Sequence, residues 1–158
     1  VGLAGAYPDA GPEMLDICLA ENELFGDIGI NISEKIEPLD SSFAPPAEFA
    51  LDHQLLSVAG RSLERAEIKY RSGNFVTVSS ASGTVSRGRY LQDKFKAICE
   101  NMEGAAVARV CQNFGLPCLE IRCVSNMVVD RSDQQWLTTE AAESCGQAVK
   151  IILEELVR

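Results

Sequence analysis

The chain has 158 residues, 46% hydrophobic and 23% charged, the balance of one ordinary globular domain with a sizeable core. With 14 Lys and Arg against 23 Asp and Glu the net charge is −9, which argues against a nucleic-acid partner, because that affinity comes from clustered cations. The six cysteines form no C-x-x-C pair and the sole histidine is His53, so no metal, disulfide framework or cofactor is expected, and a small molecule is the expected ligand.

No apolar run approaches the length of a membrane span, and the first residues lack a signal peptide's charged start and apolar stretch, so a cytoplasmic protein with reduced, mostly buried thiols is expected. Val1 lies inside what reads as a strand, which by itself would need partners for its backbone groups. Residues 1–158 are therefore expected to form a single domain that is incomplete at its amino terminus.

In chain order, VGLAGA (1–6) reads as the end of a buried strand running into a turn, closed by the Pro and Gly breakers of residues 7–12. Residues 16–20 (DICLA) read as a short strand, residues 21–39 are acidic with weak signals, and residues 40–48 (DSSFAPPAE) read as a loop. Phe49 to Val58 has helical spacing through Phe49, Leu51, Leu55 and Leu56, and residues 62–69 either continue it or form a loop. The alternation of FVTVS (75–79) predicts a strand, followed by a small-residue loop at 80–84.

Residues 87–95 read as a helix. Residues 102–114 predict another, with Ala105, Ala106, Val110 and Phe114 on one side and a stop at Gly115 with Pro117 beyond. CLEIRCV (118–124) reads as a strand, residues 125–136 as a loop, and residues 139–157 as a closing helix with Ala142, Cys145, Val149, Ile152, Leu153 and Leu156 along one face. Strands alternating with helices predict an α/β domain with a mostly parallel sheet, and ligands belong at the carboxyl ends of such strands.

Three features fall where such a sheet would hold a ligand: Gly2-Leu3-Ala4-Gly5-Ala6, Asn101-Met102-Glu103-Gly104-Ala105-Ala106 at a helix start, and Ser125-Asn126 at a strand end. Between Glu103 and Asn126 the chain has room for one helix, a Gly-x-Pro turn and one returning strand, so the two side chains can converge.

These residues resemble the nucleoside phosphorylases and nucleosidases. The likeness runs through NMEGAAVARVCQNFGLPCLEIRCVSNMVVDRSD (101–133), with GLAGA (2–6) similar to the family's glycine-rich turn. Within that superfamily TVSSASGT (77–84), LEIR (119–122) and SNMVVDR (125–131) look most like futalosine hydrolases, enzymes of a menaquinone pathway. The resemblance implies a three-layer α/β/α fold with a central mixed, mostly parallel sheet. It also implies hydrolysis of a purine nucleoside's N-glycosidic bond and self-association as a dimer or higher homo-oligomer.

By the resemblance, Ala4 and Gly5 approach the ligand, Met102 packs against the nucleoside, and Glu103 accepts hydrogen bonds from the ribose 2′- and 3′-hydroxyls. A carboxylate is an acceptor-only group able to take two hydroxyl protons, and two such bonds favour an oxocarbenium-like sugar. Read alone, Glu103 is an acid placed at a helix start by the macrodipole. Ser125 and Asn126 would meet the base. Related nucleosidases acting on 6-aminopurines carry Asp after the serine; the Asn126 amide, with two donors and no proton to give, suits N7 and O6 of a 6-oxopurine such as hypoxanthine. Read alone, Asn126 shapes a turn.

Asp130 and Arg131 are candidates for assisting the departing base, Phe75 and Val76 for flanking it, and the 80–84 loop for lending it a backbone amide. Arg122 either pairs with Glu120 or reaches the site. The family's water-activating glutamate belongs to an amino-terminal segment absent from this sequence, and Glu13, Glu21 and Glu120 do not match its motif. The competing readings are a purine nucleoside phosphorylase, which needs an anion site of Arg and backbone amides, a methylthioadenosine/S-adenosylhomocysteine nucleosidase, and a catalytically silent nucleoside-binding module.

Overall fold

The computed structural model describes residues 1–157 except 33, 34, 38, 41 and 43–45, so the predicted loop at 40–48 lies partly outside the described residues. The strands are β1 (Gly2–Ala6), β2 (Ile17–Phe25), β3 (Ile30–Ile32), β4 (Lys35–Glu37), β5 (Glu48–Ala50), β6 (Tyr70–Thr77), β7 (Ala97–Asn101) and β8 (Ile121–Met127). The helices are α1 (His53–Arg65), α2 (Val85–Phe95), α3 (Gly104–Phe114) and α4 (Thr138–Leu156). β3 and β4 form a separate hairpin.

The main sheet runs β5-β2-β6-β7-β1-β8, and β8 returns to pair with β2. One edge of β2 pairs with β6; the other pairs first with β8, Ile17 against Cys123, and then with β5, Asn22 against Ala50. The sheet is thus mixed and flanked by helices, with the longest register in the parallel β2–β6 ladder. It also closes on itself, which alternation of elements in the sequence does not reveal.

Side-chain alternation divides the core. Ile17, Leu19, Ile121 and Cys123 pack under α1 and α4, whereas Cys18, Ala20, Phe75, Cys99 and Val124 pack with Ala105 and Ala108 of α3. Helices therefore cover both faces. In α4 the buried stripe is Ala141, Cys145, Ala148 and Ile152: Cys145 and Ile152 lie on the predicted face and Val149 packs at its edge, whereas Ala141 is buried in place of Ala142, and Leu153 and Leu156 are exposed. In α3 the buried residues are Gly104, Ala105 and Ala108, while Val110 and Phe114 face outward.

Helix ends follow local chemistry. Asp52 caps α1, its Oδ1 accepting from Gln54 and Leu55 amides at 2.9 Å. The predicted helix at 49–58 thus starts only at His53, Phe49 lies in β5, and the helix continues to Arg65. Gly115 closes α3 in the left-handed conformation, φ 62°, as its position past the last apolar residue predicts.

Candidate active site

GLAGA is a strand, not a turn. β1 lies between β7 and β8, antiparallel to the first and parallel to the second, so that Gly5 pairs with both Glu100 and Asn126, and Gly2 pairs with Arg122. The missing side chains make room for these neighbours: a Cβ at Gly5 would sit 3.1 Å from Asn126 Nδ2, and one at Gly2 would collide with the Arg122 guanidinium.

Along this strand opens a cavity of about 480 Å³. Ala4, Gly5, Met102, Glu103, Ser125 and Asn126 all line it, so the three expected segments meet. The site runs along β1 rather than sitting only beyond the carboxyl ends of the strands. Gly2 marks its Arg122 and Glu103 end and Gly5 its Asn126 end, about 10 Å apart at the rise of a strand. A larger depression of about 680 Å³ beside Glu13, Asp16, Glu64 and Glu67 is open acidic surface and holds none of the expected residues.

At the Glu103 end, the carboxylate is 64% exposed and its Oε2 accepts from Arg122 Nη1 at 2.9 Å. The same guanidinium donates through Nε to Glu120 Oε1 at 2.8 Å. Arg122 therefore does both things the sequence offered, pairing with Glu120 and reaching the site. It is 5% exposed; burial alone would favour losing its proton, but Glu120 and Glu103 overcome this and push its pKa up.

Beneath lies a polar network that the sequence did not reveal. Asn101 Oδ1 accepts from the Glu103 and Gly104 amides at 2.9 and 2.7 Å, satisfying the start of α3, and Thr77 Oγ1 accepts from the Ala105 amide at 2.7 Å. Thr77 and Asn101 in turn donate to Glu23, which is wholly buried. Burial, and then the Glu120 charge, raise the Glu23 pKa to about 8.

At the other end Ser125 Oγ donates to Asn126 Oδ1 at 3.0 Å. Glu100, also lining the cavity, accepts from Tyr7 Oη at 3.1 Å and from the Ser82 amide and hydroxyl at 2.7 Å each. Burial and the Glu100 charge push the Tyr7 phenol well above its ordinary pKa, so it stays a donor.

Other expected positions lie elsewhere. Phe75 and Val76 are fully buried in the core; Val78 and Ala81, a few residues on, line the cavity instead. The Ser82 amide in the 80–84 loop is committed to Glu100. Asp130 accepts from the Val85 amide at 2.9 Å at the start of α2, and Arg131 stacks 5.5 Å from the Trp136 ring. Neither lines the cavity, whereas Trp136, the chain's single tryptophan, does. His53 is an exposed residue at the start of α1. Among the described residues no helix is long and apolar enough to cross a membrane.

The chain is similar to known proteins along its whole length. It is 34% identical to a futalosine hydrolase of Thermus thermophilus, over 98% of this chain and 68% of that one. It is 32% identical to a 5′-methylthioadenosine/S-adenosylhomocysteine nucleosidase of Bacillus pumilus, over 68% of this chain and 48% of that one. Two Helicobacter pylori structures, one described as the nucleosidase with butyl-thio-DADMe-Immucillin-A and one as native futalosine hydrolase, superpose with TM-scores of 0.82 at 22% identity. Each covers 98% of this chain and is itself covered to 66%, and at that identity the likeness bears on the fold. The sequence profile of the phosphorylase superfamily matches residues 1–158, and the chain belongs to that superfamily.

Proposed function

We propose that this chain provides the sugar and base contacts of a nucleosidase that hydrolyses the N-glycosidic bond of a 6-oxopurine nucleoside, futalosine, and releases hypoxanthine. The observation that carries the reading is that Glu103 and Asn126 line one cavity, each oriented by a bonded neighbour, Arg122 and Ser125.

In this reading the ribose diol donates to the Glu103 carboxylate, and N7 and O6 of the base accept from the Asn126 amide. The C1′–N9 bond breaks with its electron pair passing to the purine, where the amide's hydrogen bonds stabilise the growing charge. C1′ takes the oxygen of a water, one proton of which goes to the group that activates it while the other stays on the new hydroxyl; the departing purine takes its proton from solvent water. None of the described cavity residues is assigned the activation of the water. Met102, half-exposed at the rim, packs against the nucleoside.

The protein acts in the cytoplasm as a homo-oligomer. The outward face of α3 and its end, Val107, Val110, Phe114 and Leu116, each more than half exposed, supports an apolar partner surface. The test of function is chromatography of the full-length protein with futalosine, inosine and methylthioadenosine, with and without phosphate. Hypoxanthine release independent of phosphate is expected. Release that requires phosphate would make it a phosphorylase, and adenine without hypoxanthine would overturn the substrate.

A further inference from the structure

Two carboxyl groups lie under the start of α3 with no direct access to the cavity. Glu23 is 0% and Glu120 5% exposed, and both converge on Gly104, where a Cβ would meet each Glu120 oxygen at 2.5 Å and would collide with Glu23 Oε1 as well. We propose that the buried carboxyl groups Glu23 and Glu120 are positioning residues for Glu103, Glu120 acting through Arg122 and Glu23 through Asn101. The inference rests on the reading of Glu103 as the ribose ligand.

Two routes connect the pair to Glu103. Glu120 Oε1 accepts from Arg122 Nε at 2.8 Å and Arg122 Nη1 donates to Glu103 Oε2 at 2.9 Å, which sets the side chain. Glu23 accepts from Asn101 Nδ2, and Asn101 Oδ1 accepts from the Glu103 amide at 2.9 Å, which sets the backbone. Arg122 occupies only Oε2, so Oε1 and a second lone pair on Oε2 are left for hydroxyls.

Charge decides which member holds a proton. One cation, Arg122, already lies between two carboxylates, the buried Glu120 and the exposed Glu103, and a further buried anion at Glu23 would have no counter-charge. Burial and the Glu120 charge raise Glu23 to about 8, so it is un-ionised at neutral pH. The other titratable groups facing the pair are the Cys99 thiol of β7, itself pushed up by burial, and Cys118, pushed up to about 12. When Glu23 ionises it repels Glu120 and loosens the grip on Arg122 and Glu103.

The test is calorimetric titration of the full-length protein with inosine and with free hypoxanthine between pH 6 and pH 9.5, reading the ratio of the two affinities so that ionisation of the base cancels. In the wild type the ratio falls about tenfold, the scale of one charge-assisted hydrogen bond, as pH rises through about 8. Glu23→Gln, which cannot ionise, makes the ratio independent of pH, and Glu120→Gln lowers it at every pH. An equal loss for nucleoside and base in these variants, or a wild-type ratio without the alkaline fall, overturns the proposal. Should Glu120→Gln fail to fold, the wild type and Glu23→Gln decide alone. A Glu103→Gln protein with an unchanged ratio would instead sink the assignment of Glu103 and with it the proposed function.

Discussion

The Ser125 hydroxyl holds Asn126 by the carbonyl end of its amide, donating to Oδ1 at 3.0 Å. Nδ2 has no partner among the described residues, so the donor end is the one offered to a ligand. Asn126→Asp retains the serine bond but replaces two donors by an acceptor or a single acidic proton. The specificity constant for a 6-oxopurine nucleoside should fall about 100-fold or more, with a gain toward 6-aminopurine nucleosides, because a mismatched buried polar group is left unpaired. Product chromatography with inosine and adenosine checks this; unchanged selectivity would place the base elsewhere.

Glu103→Gln tests the sugar end. The side chain is 64% exposed and Arg122 still has Glu120, so the melting temperature should stay close to that of the wild type. The rate constant with futalosine should fall about 10²- to 10³-fold, the usual loss on removing one group that meets charge in the transition state. A full rate with weaker binding would make Glu103 a ground-state contact only.

The convergence of contiguous motifs was legible before any coordinates: Asn101, Met102 and Glu103 share one cavity with Ser125 and Asn126, and Gly115 stops α3. What could not be read was set by packing. β7 follows α2 after only Lys96, in the left-handed conformation at φ 51°, with no Gly or Pro to announce the turn. Glu23 sits in an acidic stretch with weak signals, and only Thr77 of β6, Asn101 of β7 and Glu120 just before β8, brought together by the fold, enclose it. Phe75 and Val76 alternate as any strand does, and alternation cannot say that both faces are covered. The difference in α4 has a similar cause: Ala141 and Ala142 are equally apolar, and closeness to β8 selects the first.

Gly104 should tolerate no side chain. A methyl group there would meet both Glu120 oxygens at 2.5 Å, and one of them, Oε1, is tied to Arg122. Gly104→Ala is expected to lose about 1–3 kcal/mol, as over-packing of a filled interior does, or roughly 3–10 °C in Tm at this chain length. Thermal denaturation and nucleoside binding measured together should both suffer, since the displaced carboxylate is the one that holds Arg122.

Asp130, whose Oδ1 receives the Val85 amide, contributes to the start of α2 and not to the cavity. Asp130→Ala should therefore cost about 1 kcal/mol of stability, the typical loss of a cap, and leave the turnover number near that of the wild type. A general acid would behave in the opposite way, losing about 100-fold or more in rate with little change in melting.

Stability should also fall as the solution becomes alkaline. Glu23 has a folded-state pKa of about 8 against an ordinary 4.5. Below 4.5 both states hold the proton and nothing is lost. Between 4.5 and 8 the unfolded chain has released it and the folded one has not, so the unfolded state binds fewer protons and stability falls with rising pH; above about 8 both are ionised and the loss is complete. Urea midpoints should accordingly decline from pH 5 to pH 9, and Glu23→Gln should flatten that decline. If the variant keeps the wild-type slope, the proton is released elsewhere and Glu23 is ionised in its buried site.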